Sequence, residues 1–494
     1  MPRRRGVDSR NTHRQRDSRA IGQNVERHGH LGTFYRSIEL SRSPEFRSDS
    51  KLAGATLACK RNPGISRILC ACGSMRMVES IGILSDRKEP VEPETDLGDL
   101  ATPEEVGLSS ARLARIEYLL ASQVDDGQFP GAVALVFRRG RVAYIARAGM
   151  VTPSTGTPMP LDAIFRIYSM TKPITSVAAM SLHEEGLLDL SDPVGRFLPE
   201  LANLPVGEST SDGGYRLVTA EREMTVLDLL RHTSGIVGGY FGTPWILKLY
   251  EQAGIREFDH TDVAFTTSTQ DLVTALSTLP LAMQPGSHWE YGRSGDVMGR
   301  LLEIAGGRSL DALLDDRVFT PLGMADTGFF VSPQQAHRIA QPAESFAADT
   351  VLRDFTSRPT FLSGGSGAFS TVRDYLRFTR MLLGMGELEG QRVLSRKSVE
   401  LMTSDHLGTI YGTGPDYMPR DGYTFGLGVA VRKEPGLSDV LGSAGDFWWL
   451  GRGSTSFFVD PAEDMIGLFM TQRYWRARHY QRVFKNLVYQ AVID

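Results

Sequence analysis

The stretch "FRIYSMTKPITSVAAMSLHEEGLLDL", residues 165–190, passes from an apolar, strand-like lead into an apolar helix, and at the junction it sets Ser169 three residues before Lys172. Side chains at i and i+3 share a helix face, about 5–6 Å apart at Cβ. Pro173 falls in the first turn, where its missing N–H is harmless. A lysine so placed becomes a base for a serine hydroxyl when burial and the positive end of the helix favour its uncharged amine. Arginine could not do this, since its charge is effectively permanent. The chain uses 46 Arg against 8 Lys, so a lysine here is informative. Spacing alone does not select the pair: Ser48 with Lys51 and Ser85 with Lys88 repeat it, and chance supplies roughly one such spacing. Taken by itself, the pattern is also that of an exposed polar pair.

Outward from this stretch, 494 residues suffice for two or more packed units, and 41% apolar content with a net charge of −4 does not describe a polyanion-binding protein. Residues 1–76 differ, with 16 Lys and Arg against 6 Asp and Glu. Residues 1–95 are expected to be a basic, disordered extension, or to reflect a start placed upstream of Met75 or Met77; a nucleic-acid arm or an anchor is the other reading. The segment has no basic-then-apolar secretory pattern, so a cytoplasmic location is expected. No run of about 18 apolar residues predicts a membrane span. Cys59, Cys70 and Cys72 all fall in this segment, which leaves residues 73–494 without disulfides or a cysteine nucleophile.

Further along, "TPEEVGLSSARLARIEYLLASQVDDG" spaces Leu113, Ile116, Leu119 and Leu120 as a helix. "GAVALVFRRGRVAYIARAG" reads as a hairpin about Gly140, and "STSFFVDPAEDMIGLFMTQ" as two strands reversing at Asp460–Pro461 and Asp464. The last helix carries Tyr480, Val483, Phe484, Leu487, Val488 and Ala491 on one face, suited to cover a sheet. Ends that build one sheet around a helical middle predict an α/β (α+β) fold. The folded domain is expected to span residues 96–494, with the α/β part at about 96–190 and 345–494 and the helical part at about 195–345.

Beyond the Ser-x-x-Lys element, "MTVLDLLRHTSGI" (224–236), "QPGSHWEYGRSGDVMGRLLEIAGG" (284–307), "PLGMADTGF" (321–329), "GGSGAFSTVRDYLRFTRMLL" (364–383) and "WLGRGSTSFFVDP" (449–461) follow in order. Together, over about residues 103–490, they resemble the serine β-lactamase and penicillin-binding-protein superfamily, most closely the class C β-lactamase-like branch with the family VIII carboxylesterases. The resemblance implies an antiparallel sheet flanked by helices plus an all-α insertion. It also implies roles. Ser169 is the nucleophile, Lys172 and Tyr291 handle protons, and the N–H groups of Ser169 and Arg452 form the oxyanion hole. A phenol hydrogen-bonded to Lys172 could pass the serine proton to the leaving group.

Two positions depart from the family pattern. Arg293 stands where the Tyr-x-Asn element has asparagine, and Trp449 where the Lys-Thr-Gly strand has lysine. Trp449, Leu450 and Gly451 are expected to line the substrate site, with Trp449 as a flat apolar wall, and Arg293 or Arg452 to offer an anion contact. These changes favour small or medium acyl esters over β-lactams.

Other polar features read as structural. His232 sits at a helix end before Gly235. No paired histidine spacing suggests a metal, and no cofactor is expected. "GGSGA" (364–368) and "GRSGD" (292–296) each miss the G-x-S-x-G elbow at the last residue, which disfavours an α/β-hydrolase. The expected activity is ester hydrolysis through a Ser169 acyl-enzyme on a small-molecule substrate, without nucleic acid. The alternatives are a β-lactamase or D-Ala-D-Ala carboxypeptidase, an acyl transferase, and a catalytically silent binding protein.

Overall fold

The computed structural model describes residues 97–238, 242–255, 267–343, 356–410 and 417–494. The expectations for the basic extension and for Cys59, Cys70 and Cys72 lie outside the described residues.

Apolar alternation and tight turns build the sheet. Strands β1 (Gly131–Arg138) and β2 (Arg141–Thr152) are joined by Arg139 and Gly140, both at positive φ, as the shortest right-twisting hairpins require. A short strand, β3 (Thr157–Pro158), extends this edge. The late strands are β4 (Tyr423–Phe425), β5 (Ala430–Arg432), β6 (Phe447–Leu450), β7 (Ser456–Asp460) and β8 (Met465–Thr471). They assemble in the order β4-β5-β6-β7-β8-β1-β2-β3, antiparallel throughout. The joint between the two ends of the chain is β1 on β8, from Ala132 opposite Thr471 to Arg138 opposite Met465.

Helices cover both faces, which is why β1 and β8 are buried along their whole length. Adjacent residues of β7 show the two sides. Phe457 meets Tyr375 of one helix at 5.3 Å between ring centroids, and Phe458 meets Phe484 of another at 6.3 Å. On the Phe484 side pack α1 (Ser110–Asp125), through Leu113, Ile116 and Leu120, and the last helix (Ala477–Tyr489), through Tyr480, Phe484 and Val488.

The helix announced by the opening stretch is α2 (Thr171–Glu184). Every residue from Thr171 to Leu182 is buried, because α2 packs on the helical part of the molecule. That part includes α3 (Val226–Leu230), α4 (Pro244–Gln252), α5 (Thr269–Leu276), α6 (Ser294–Gly306) and α7 (Leu310–Leu314). It also holds one hairpin, Val206–Ser209 with Tyr215–Val218, capped by Trp245 stacked on Tyr215 at 4.5 Å. After it come α8 (Val372–Leu383), which supplies Tyr375, and α9 (Arg396–Met402). No described helix is long and apolar enough to cross a membrane.

Candidate active site

A short ribbon, Phe165–Arg166 paired with Phe369–Ser370, delivers the chain into one tight turn, Tyr168–Met170, which opens directly into α2. Tyr168 holds φ +45, a conformation that costs a bulky residue roughly 1–3 kcal/mol. Its surroundings hold it there. The Thr171 hydroxyl donates to the Tyr168 carbonyl at 2.6 Å, and the Tyr168 and Tyr474 hydroxyls share a 2.7 Å hydrogen bond. Ser169, the next residue, is half-buried at the head of α2.

Lys172 is 7% exposed, and its Nζ lies 3.4 Å from Ser169 Oγ. The same amine donates to the Gly365 carbonyl at 2.8 Å. Gly365 is itself fixed, because its N–H donates to Asp296 Oδ1 at 3.1 Å, and the Ser363 hydroxyl bonds the same oxygen. Close packing requires the glycines. A Cβ on Gly295 would stand 3.3 Å from both Cγ and Cε of Lys172, and one on Gly365 would stand 2.9 Å from Asp296. The "GGSGA" run, which resembles a failed nucleophile elbow in sequence, is thus the loop that holds the lysine amine.

Tyr291 precedes α6 and is 9% exposed. Its ring is enclosed by Trp289 at 6.0 Å, Trp449 at 5.6 Å and His232 at 4.7 Å. Lys172 Nζ stands over this ring, 4.6 Å from the centroid. This contact between the amine and the ring face is a cation–π geometry when the amine is charged.

His232 was read as a helix-end residue, and it does end α3, at φ +59. It is also part of the site. At 2% exposure its ring is boxed by Trp289, Tyr291 and Phe425, and Nδ1 has no hydrogen-bond partner. Burial, and then the charge of Lys172, hold the imidazole well below its usual pKa, so it is neutral at physiological pH.

Where β6 ends, Gly451 donates its N–H to the Thr455 carbonyl at 2.8 Å, closing a turn in which Ser454 takes φ +66. A Cβ on Gly451 would fall 2.3 Å from the carbonyl oxygen of Ile167 and 2.4 Å from Thr455 Oγ1. The strand end therefore lies against the chain just before Ser169, and Arg452 follows at once. The Arg473 N–H donates to the Gly453 carbonyl at 2.9 Å, tying the segment after β8 to the same turn. This puts the Arg452 backbone beside the turn that carries Ser169.

Two expectations about the substrate wall, for Trp449 and Arg293, need correction. Trp449 has none of its surface exposed, because β6 lies inside the sheet and the indole fills the space among Tyr291, Phe425 and Trp448. It backs the phenol rather than facing a ligand. Leu450 is buried in register with Ser456. Arg293 is buried as well, with its guanidinium on Asp296 at 3.2 Å and on the Ile255 carbonyl at 3.1 Å, so its charge is answered within the fold. The Arg452 guanidinium stacks on the exposed Trp475 at 4.6 Å. Among the described residues no group of three or more His, Cys, Asp or Glu could hold a metal ion.

Comparison with known proteins identifies the family and the fold. The Beta-lactamase family model matches residues 116–487. Protein Rv1367c of Mycobacterium tuberculosis is 36% identical over 361 residues, covering 70% of this chain and 87% of its own. Esterase EstB of Burkholderia gladioli is 30% identical over 397 residues, covering 75% and 93%. The solved structure of simvastatin synthase (LovD) from Aspergillus terreus superposes with a TM-score of 0.63 at 25% identity, over 77% of this chain and 98% of that one.

Proposed function

Because the chain belongs to the β-lactamase family, we propose that it is a serine ester hydrolase, a carboxylesterase that cleaves small or medium acyl esters through an acyl-enzyme on Ser169. The observation that carries this reading is the 3.4 Å approach of Lys172 Nζ to Ser169 Oγ, with the amine held by Gly365. Lys172 takes the serine proton as Oγ attacks the ester carbonyl. The oxyanion is received by the N–H groups of Ser169 and Arg452, and the proton passes by way of Lys172 and Tyr291 to the departing alcohol. Water then repeats the sequence on the acyl-enzyme. EstB, an esterase by name, supports ester cleavage. Monacolin J acid methylbutanoyltransferase of Aspergillus terreus, 27% identical over 406 residues and a transferase by name, favours acyl transfer as the second reading.

Trp449 in place of a lysine removes the cation that would hold a β-lactam carboxylate, so p-nitrophenyl butyrate is expected to be turned over faster than a chromogenic cephalosporin. Initial rates on the two substrates test this, and the reverse order would favour a β-lactamase. Added short-chain alcohol that diverts the acyl group from water would favour the transferase.

The oxyanion turn makes a further prediction. In Gly451→Ala the new methyl meets a backbone carbonyl and a packed threonine, so the strand end must move away from Ile167. Losing one oxyanion donor typically costs about 100- to 1,000-fold in rate, and kcat should fall by that order while KM changes little. A kcat within a few-fold of the parent would remove Arg452 from the oxyanion hole.

A further inference from the structure

His232 belongs to no step of the chemistry above, yet it is a polar ring placed where an apolar one would cost less. Its Nδ1 is buried with no hydrogen-bond partner, a situation that native folds avoid unless the group has a use. Its backbone is left-handed at a helix end, where glycine or asparagine is the easier residue. Phenylalanine would fill the box of Trp289, Tyr291 and Phe425 with no orphaned nitrogen. The ring touches the group that handles the proton, since it lies 4.7 Å from the Tyr291 ring at a tilt of 46°, and Lys172 Nζ stands over that same ring.

We propose that His232 is a positioning residue for Tyr291, holding the phenol ring beside the Lys172 amine and stabilising, through the imidazole dipole, the negative charge that spreads over the phenol as it passes a proton. The inference rests on the esterase reading of the site. Protons balance without His232. The serine proton ends on the leaving alcohol, the proton of the deacylating water returns to Ser169, and the imidazole neither gains nor loses one. Its neutral state suits this task, because a cation there would oppose Lys172 as it takes up the serine proton. A benzene ring packs in the same space but presents no N–H dipole to an electron-rich neighbour.

The test compares the full chain with His232→Phe and His232→Gln on p-nitrophenyl butyrate, with fluorophosphonate labelling of Ser169 and thermal unfolding measured on each. His232→Phe should remain folded and labelled at Ser169. Its kcat should fall by about 10- to 100-fold, the range expected when a reacting group is slightly misplaced, while KM stays within about twofold. His232→Gln, which restores a polar N–H, should recover part of that loss. Should His232→Phe fail to fold, His232→Met, apolar and flexible, takes its place. A folded apolar variant with the parent's kcat overturns the inference and leaves the esterase reading intact. An unsubstituted chain that turns over no ester and takes no label at Ser169 overturns both.

Discussion

Ser169→Ala is expected to lose ester turnover almost completely, with kcat on p-nitrophenyl butyrate lower by about 10⁴-fold or more, or upwards of roughly 5 kcal/mol in transition-state stabilisation. The loss follows from the route. Without Oγ no acyl-enzyme forms, and the remaining groups can only assist direct attack by water. The fold should be indifferent, since Ser169 is half-buried and the left-handed Tyr168 is held by Thr171 and Tyr474 rather than by the serine. Intact-protein mass after a fluorophosphonate should show one adduct on the parent and none on the variant. Equal labelling of both would place the nucleophile elsewhere.

Lys172→Met is expected to have the next largest effect, a fall in kcat of roughly 10²- to 10⁴-fold, the contribution typical of a positioned base. Methionine nearly reproduces the buried stem, which packs against Gly295, but removes the amine from both Ser169 and Gly365. Lys172→Arg should do no better. A guanidinium holds its proton at any usable pH, and its larger planar head group cannot take the amine's place between Ser169 Oγ and the Gly365 carbonyl. Raising the pH should therefore rescue neither variant. Steady-state kinetics from pH 6 to 9 would check this, and a Lys172→Arg enzyme with more than a tenth of the parental kcat would exclude Lys172 as the base.

The pattern of apolar periods and turn residues made the sheet, its Gly140 hairpin and the covering last helix legible, because each depends on neighbours in sequence. Ser169 and Lys172 were legible for the same reason: one helical turn fixes their distance. Tyr291, 119 positions beyond Lys172, could be placed only through the ordered set of shared motifs. Those motifs align positions but do not give side-chain directions, and this is where the reading failed. Trp449 occupies the position of a substrate-binding lysine, yet it points its bulk into the core. Arg293 occupies that of an asparagine, yet it is consumed by Asp296 and Ile255. The sequence does not single out Gly365 and reads His232 as structural, because nothing local marks their surroundings. One acts through a backbone carbonyl and the other through a box of rings gathered from two separate segments. A left-handed non-glycine residue at a helix end is a signal visible only once the backbone is known.

The pairing of β1 with β8 bears on how the molecule is made. A strand complete by residue 138 must wait for one that begins at residue 465, so the central ladder cannot close until the chain has been made through residue 471. Through that interval the apolar β1–β2 hairpin is an open template for non-native pairing. Biogenesis thus favours slow, late closure and exposes the nascent chain to aggregation, a burden set by topology rather than by the chemistry the finished fold supports.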